Sequence, residues 1–337
     1  MTGYQEMKFY VQNFPNYLGK GLEIGHNIKL KKSNYANPIK NIVLTGLGGS
    51  GIGAELVHNY LEDILHLPLS INKNYHLPKF VNNNTLVIVN SYSGDTEETL
   101  QAFHEAKEKK AMIVCITSGG TLKQLAENSD FDIAILPEGM PPRVCVPTSF
   151  SQILFILKEL ELIDNSFISE IEHAKILLEK ESSNIQLEAQ AIAKKIYKTT
   201  PILYSNQDID SVITRWRQQL NENSKILAWE RAFPEMNHNE LVGWKDNHKD
   251  FSVLFLHTGV ESQLIKNRFE ICKEVIKEKA FLVLDIFAKG NSFFSRALYL
   301  IYLGDWLSVY LAELRGVDAV EVEVINYLKE TLAKRAD

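Results

Sequence analysis

From about residue 40 onward the chain alternates two patterns: short unbroken apolar runs, and longer stretches with apolar residues at helical spacing. Asn41-Ile42-Val43-Leu44-Thr45, Thr85-Leu86-Val87-Ile88-Val89 and 112–117 are β-branched runs without a polar face, as in strands buried on both sides. Weaker strands are predicted at 67–71 and 131–136, with helices over 54–65, 96–110 and 121–128. A helix over 3–12 leads the chain, 149–162 closes the first unit, and 167–198 forms a long helix suited to crossing between domains. The alternation then restarts: strands at 201–204, 226–229, 251–257 and 281–286, helices at 212–223, 261–278, 292–314 and 322–334. Strands alternating with helices imply a parallel sheet covered on both faces. The expected fold is α/β, with two similar doubly wound domains (1–160 and 161–337), each a mostly parallel sheet flanked by helices.

Composition changes this picture little. At 337 residues, 45% hydrophobic and 23% charged, the chain can bury two cores. Its net charge of −6, with no basic stripe, gives no nucleic-acid footprint. The apolar segment 297–314 is interrupted by Gly304, Asp305 and Glu313, which makes it a core helix and not a membrane span. Cys115, Cys145 and Cys272 are far apart and lack metal spacing, so buried free thiols are expected. Residues 1–14 show no apolar leader, and a cytoplasmic location is expected.

Candidate chemistry begins at two strand ends. Asn90-Ser91-Tyr92-Ser93-Gly94-Asp95-Thr96-Glu97-Glu98-Thr99 follows a strong strand and opens a helix. Hydroxyls and free N–H groups converging there suit a phosphate, although Thr96 with the following acids also reads as a plain helix cap. Gly46-Leu47-Gly48-Gly49-Ser50-Gly51-Ile52-Gly53 is the second turn. It matches the dinucleotide fingerprint literally, but 67–77 lacks the acid that would hold a ribose, leaving only Lys73 to meet an extra phosphate. No Gly-Lys-Ser/Thr follows, so it is not an ATP P-loop. Together the two turns resemble the sugar isomerase (SIS) domain family, which binds phosphosugars on a doubly wound fold. The resemblance implies that Ser91, Ser93 and Thr96 hold the phosphate while Gly49 and Ser50 line the sugar.

Arg143 follows two stiffening prolines in Pro141-Pro142-Arg143-Val144; a lone loop arginine is ordinarily a surface charge. Glu222 lies in Asn221-Glu222-Asn223-Ser224-Lys225, near a helix end. The segment Phe233-Pro234-Glu235-Met236-Asn237-His238-Asn239-Glu240 reads as a loop; His238 and Glu240 make half a metal site at most, and His suits acid–base work better. These motifs are similar to the bifunctional phosphoglucose/phosphomannose isomerases of the phosphoglucose isomerase superfamily. That resemblance implies Glu222 as base, Arg143 as catalytic arginine, His238 as ring-opening histidine, and Lys329 as the lysine near the C-terminus. It further implies sugar 6-phosphate substrates, no cofactor or metal, and a homodimer whose active sites share the histidine. The family's Asp-Pro-Thr-Pro-like segment reads Asp318-Ala319-Val320-Glu321 here, a departure that bears on mannose phosphate turnover and not on fold. A non-catalytic phosphosugar sensor, an amino-sugar isomerase and a nicotinamide oxidoreductase are the competing readings.

Overall fold

The computed structural model describes residues 2–335. Its first sheet has the order β2-β1-β3-β4-β5: β1 (Asn41–Thr45), β2 (Leu69–Asn72), β3 (Thr85–Asn90), β4 (Met112–Thr117) and β5 (Asp132–Ile135). The second has the order β7-β6-β8-β9: β6 (Thr200–Asn206), β7 (Trp229–Phe233), β8 (His248–His257) and β9 (Ala280–Phe287). Every pairing is parallel. The two-sided burial expected of the apolar runs is present. Ile42, Leu44, Leu86 and Ile88 face one core while Val43, Val87 and Val89 face another, beneath α4 (Glu97–Glu108) and α5 (Gly120–Asn128). In the second sheet Leu203 and Leu254 join the first core, and Ile202, Tyr204 and Phe255 pack under α9 (Gln263–Lys277). One hydrophobic core therefore runs through both sheets.

Helices between the sheets place the site. α3 (Gly48–Leu61) follows β1; α6 (Val146–Glu159), α7 (Ser166–Ile196) and α8 (Asp210–Glu222) lead into the second half, and α10 (Phe293–Arg315) lies against α7 and α8. α10 is long and apolar enough to cross a membrane, yet 89% of its apolar window is buried in the fold, as expected for a core helix. Trp216 of α8 donates through its indole N–H to Leu300 O at 2.7 Å. A Cβ on Gly304 would lie 2.3 Å from that indole nitrogen, so only glycine lets the two helices meet this closely. Burying a side chain of this size contributes about 3 kcal/mol, which fixes the end of α8 against α10.

Several boundaries differ from the sequence reading. α1 (Gly3–Gln12) is followed by an unexpected α2 (Phe14–His26), and α3 begins at Gly48, inside the glycine turn, and not at residue 54. Residues 226–228 are outside any strand; β7 instead runs to Phe233, so the expected loop before His238 is half strand and half 3₁₀ turn. α11 (Glu323–Ala333) is the last helix of the described residues.

Candidate active site

The loop 91–96 sits at the C-terminal edge of the first sheet, between β3 and α4. Gly94 has φ +75°, and a Cβ there would lie 1.9 Å from Gly119 O, so the loop packs directly on the β4–α5 turn. Asp95 secures it by accepting from Thr121 N at 2.9 Å and Thr121 Oγ1 at 2.7 Å. Thr96 occupies the N-cap position of α4 but caps nothing; its hydroxyl accepts from Ser91 Oγ at 3.1 Å. The capped-turn reading is thereby corrected. Ser91 Oγ also accepts from Gly94 N at 3.2 Å, and Ser93 is exposed. The first-turn N–H groups of α4, without intrahelical acceptors, face the same side as a ready anion site.

From this loop a strip of direct contacts leads to the second half. Asn90 donates to Ser50 O at 3.2 Å, and Ser50 Oγ accepts from Tyr92 N at 3.2 Å. Ser50 thus fastens the glycine turn to the phosphate-type loop. Beside it, Gly49 lies against the Pro142–Val144 turn, where a Cβ would sit 2.6 Å from Pro142 O. That turn carries Arg143, which is only 4% exposed and not the surface charge a loop arginine usually is. Its Nη1 lies 3.3 Å from Glu222 Oε2, at the last residue of α8.

Arg143 is held from four directions. Nε donates to Asn223 Oδ1 at 2.8 Å; Nη2 donates to Ala319 O at 2.8 Å and Val320 O at 3.0 Å; Nη1 donates to Glu222. Burial pulls the guanidinium below its ordinary pKa, and Glu222 opposes that shift, so the group stays cationic. Below it, Asn223 donates to Ser308 Oγ at 2.9 Å, and Asp305 pairs with Arg215 through two bonds of 3.0 and 3.1 Å. Lys225 donates to the carbonyls of Glu222 and Glu321; burial lowers its ammonium pKa, with Glu321 working the other way. None of Asn223, Lys225, Asp305 or Ser308 was expected in the site from sequence. Asp305 carried a usable signal, since a lone acid inside an apolar helix needs a buried partner.

A cleft of about 340 Å³ opens beside Glu222, with Lys225, Leu227, Val322 and Ile325 on its walls. Residues 37–153 match the SIS domain model, and residues 185–332 match the bacterial phospho-glucose isomerase C-terminal SIS domain. A bifunctional phosphoglucose/phosphomannose isomerase of Caldicellulosiruptor bescii is 38% identical, over 97% of this chain and 99% of that one. The Aquifex aeolicus protein of the same name is 36% identical over 89% and 92%. The chain belongs to the bifunctional phosphoglucose/phosphomannose isomerase family. Among solved structures, the C-terminal domain of glucosamine-fructose-6-phosphate aminotransferase from Francisella tularensis shares the fold, with TM-score 0.76 at 16% identity over 93% of this chain and 97% of that one.

One residue expected in this isomerase's site, His238, lies across a strand from Glu222. Glu222 precedes β7 and His238 follows it, and five strand residues advance roughly 16 Å. The His238 turn is also tied to α9: Asn237 accepts from Arg268 at 3.0 Å and donates to Cys272 Sγ at 2.9 Å. His238 is exposed, as is Lys329 on α11. Lys73, the residue left to a dinucleotide reading, pairs with Glu55. Among the described residues no cluster of three His, Cys, Asp or Glu side chains is placed to hold a metal.

Proposed function

We propose that this chain interconverts glucose 6-phosphate and mannose 6-phosphate with fructose 6-phosphate through a cis-enediol(ate), without a metal. The observation that carries the reading is the 3.3 Å contact between Arg143 and Glu222, at the far end of a contact strip that starts in the 91–96 loop. The loop anchors the phosphate through Ser91, Ser93, Thr96 and the α4 N-terminus, and Gly49 and Ser50 lie along the sugar. Glu222 removes the proton from one of C1 and C2 and returns it to the other. The enediolate oxygen gathers negative charge, and the fixed Arg143 guanidinium stabilises it in place of a Lewis acid. Binding energy from the remote phosphate holds the two carbons against the base. Val320 stands in the segment where the family pattern departs, but its contribution to Arg143 comes through a backbone carbonyl, which a change of side chain preserves.

Ring opening falls to His238, supplied by a second copy of the chain, or to Lys329. The support is geometric: within one chain β7 separates His238 from Glu222, so the site is incomplete alone. α11, which carries Lys329, presents Val324 (81% exposed), Tyr327 (71%) and Leu328 (57%) to solvent, an apolar face suited to burial against a partner subunit. Three buried free cysteines fit a reducing, cytoplasmic setting.

Proton NMR of EDTA-treated protein with fructose 6-phosphate tests the reaction. Both aldose phosphates are expected; glucose 6-phosphate alone would remove the mannose branch, and loss of turnover on chelation would remove the metal-free mechanism. Glu222→Gln and His238→Ala homodimers should each lose about 10²- to 10⁴-fold in kcat. Mixing them under conditions of proven subunit exchange should restore up to a quarter of the sites. No recovery would sink the shared site.

A further inference from the structure

We infer that Asn223 is a positioning residue that sets the angle at which Arg143 faces Glu222 and the substrate, an inference that rests on the catalytic reading of those two groups. Asn223 is fully buried, and its carboxamide can take only one orientation. Ser308 Oγ gives its proton to Asp305 O at 2.7 Å, so it has only lone pairs left for the Asn223 amide. The amide NH₂ must therefore point at Ser308, and Oδ1 must accept from Arg143 Nε, which can only donate. α10 is anchored in turn to α8 by the two-bond Arg215–Asp305 pair.

Counting donors shows what this achieves. A guanidinium has five N–H groups. Asn223 takes the Nε hydrogen, the carbonyls of Ala319 and Val320 take both on Nη2, and Glu222 takes one on Nη1. One Nη1 hydrogen is left, beside the base. The two backbone carbonyls fix where the guanidinium sits, and Asn223 fixes the plane in which that last hydrogen points. A group that acts by aiming charge at a developing oxyanion should alter the transition state and spare ground-state binding.

The test compares Asn223→Ala, Asn223→Asp and Ser308→Ala in the full-length protein, with Arg143→Ala as reference. For Asn223→Ala, kcat should fall about 10- to 100-fold, the scale of a misplaced catalytic group, with KM for fructose 6-phosphate within about threefold. Inhibition by a phosphorylated hydroxamate, which mimics the enediolate, should weaken in step with kcat/KM, while a hexitol phosphate inhibits as before. Asn223→Asp keeps an acceptor for Nε and should recover part of the loss. Ser308→Ala frees the amide to turn without removing it; it should show the same split between inhibitors at smaller size, and it stands in for Asn223→Ala if that variant does not fold. Equal weakening of both inhibitors, or kcat/KM within twofold of the parent, overturns the inference while Arg143→Ala is inactive. An active Arg143→Ala overturns the catalytic reading itself.

Discussion

The loops after β3 and β8 occupy the same place in two sheets of the same winding. In each sheet the first strand (β1, β6) has the second (β2, β7) at one side and the third (β3, β8) at the other, with the fourth beyond. After β3, the loop hydroxyls bond to one another and the helix N–H groups stay open. After β8, the loop is closed by its own carboxylate: Glu261 Oε1 accepts from Thr258 N, from Thr258 Oγ1 at 2.8 Å and from Gly259 N at 3.3 Å. The neighbouring cavity of about 380 Å³ is satisfied in the same way, with Asp285 shared between His257, at 3.0 Å, and Lys273. A nest of N–H groups needs an anion, and the second half supplies one internally. Of these two matching loops, the one after β3 is left open. The second half meets Arg143 from its opposite edge, through Glu222.

The largest test of this contrast is the double substitution Ser91→Ala with Thr96→Val. If the loop holds the substrate phosphate as proposed, losing two hydrogen bonds to it costs about 3–4 kcal/mol, and kcat/KM for fructose 6-phosphate should fall roughly 10²- to 10³-fold. Thr258→Val, at the matching loop, should leave it within about twofold. Comparable losses at both loops would break the contrast.

A smaller effect is expected from Glu261→Gln, on stability and not on rate. Burial alone would raise the Glu261 carboxyl, but donors from its own loop and His257 prevail and hold it below its ordinary 4.5. A carboxyl depressed by folding contributes stability above pH 4.5 that is lost as pH falls through its folded value. Glu261→Gln should therefore lower unfolding free energy by about 1–2 kcal/mol at pH 7 and by less near pH 4. Urea titrations at the two pH values measure it; an equal loss at both would show that the charge is not what closes the loop.

Strands β1, β3 and β4 were legible because a strand buried on both faces must be apolar throughout, and a run of that kind has few other homes. α2 was not: its Pro15 and glycines 19, 21 and 25 are residue types that disfavour a helix interior. In the fold Pro15 sits in the first turn, where its missing N–H costs nothing, and Gly25 makes room for Phe155, whose ring would lie 1.9 Å from a Cβ. The hydroxyl-rich 91–96 loop was visible in its own residues, since its hydrogen bonding is local. The setting of Arg143 was not, since two of its acceptors are carbonyls 176 and 177 positions away and any residue type offers a carbonyl. Acid–base work by His238 was legible from its residue type, but its place in a shared site and any role for Lys329 came only from resemblance, and within one chain β7 separates His238 from Glu222.

α1 lies along α10, and Tyr4 donates to Glu313 at 3.0 Å across 309 positions of sequence. Ribosomes add about 5–20 residues per second, so the two partners emerge roughly 15–60 s apart. Through that interval Met7 and Val11, both buried in the finished core, have no α10 to cover them. Newly made chains should therefore carry an exposed apolar helix for most of their synthesis, and they are natural clients for a chaperone that binds such helices at the ribosome.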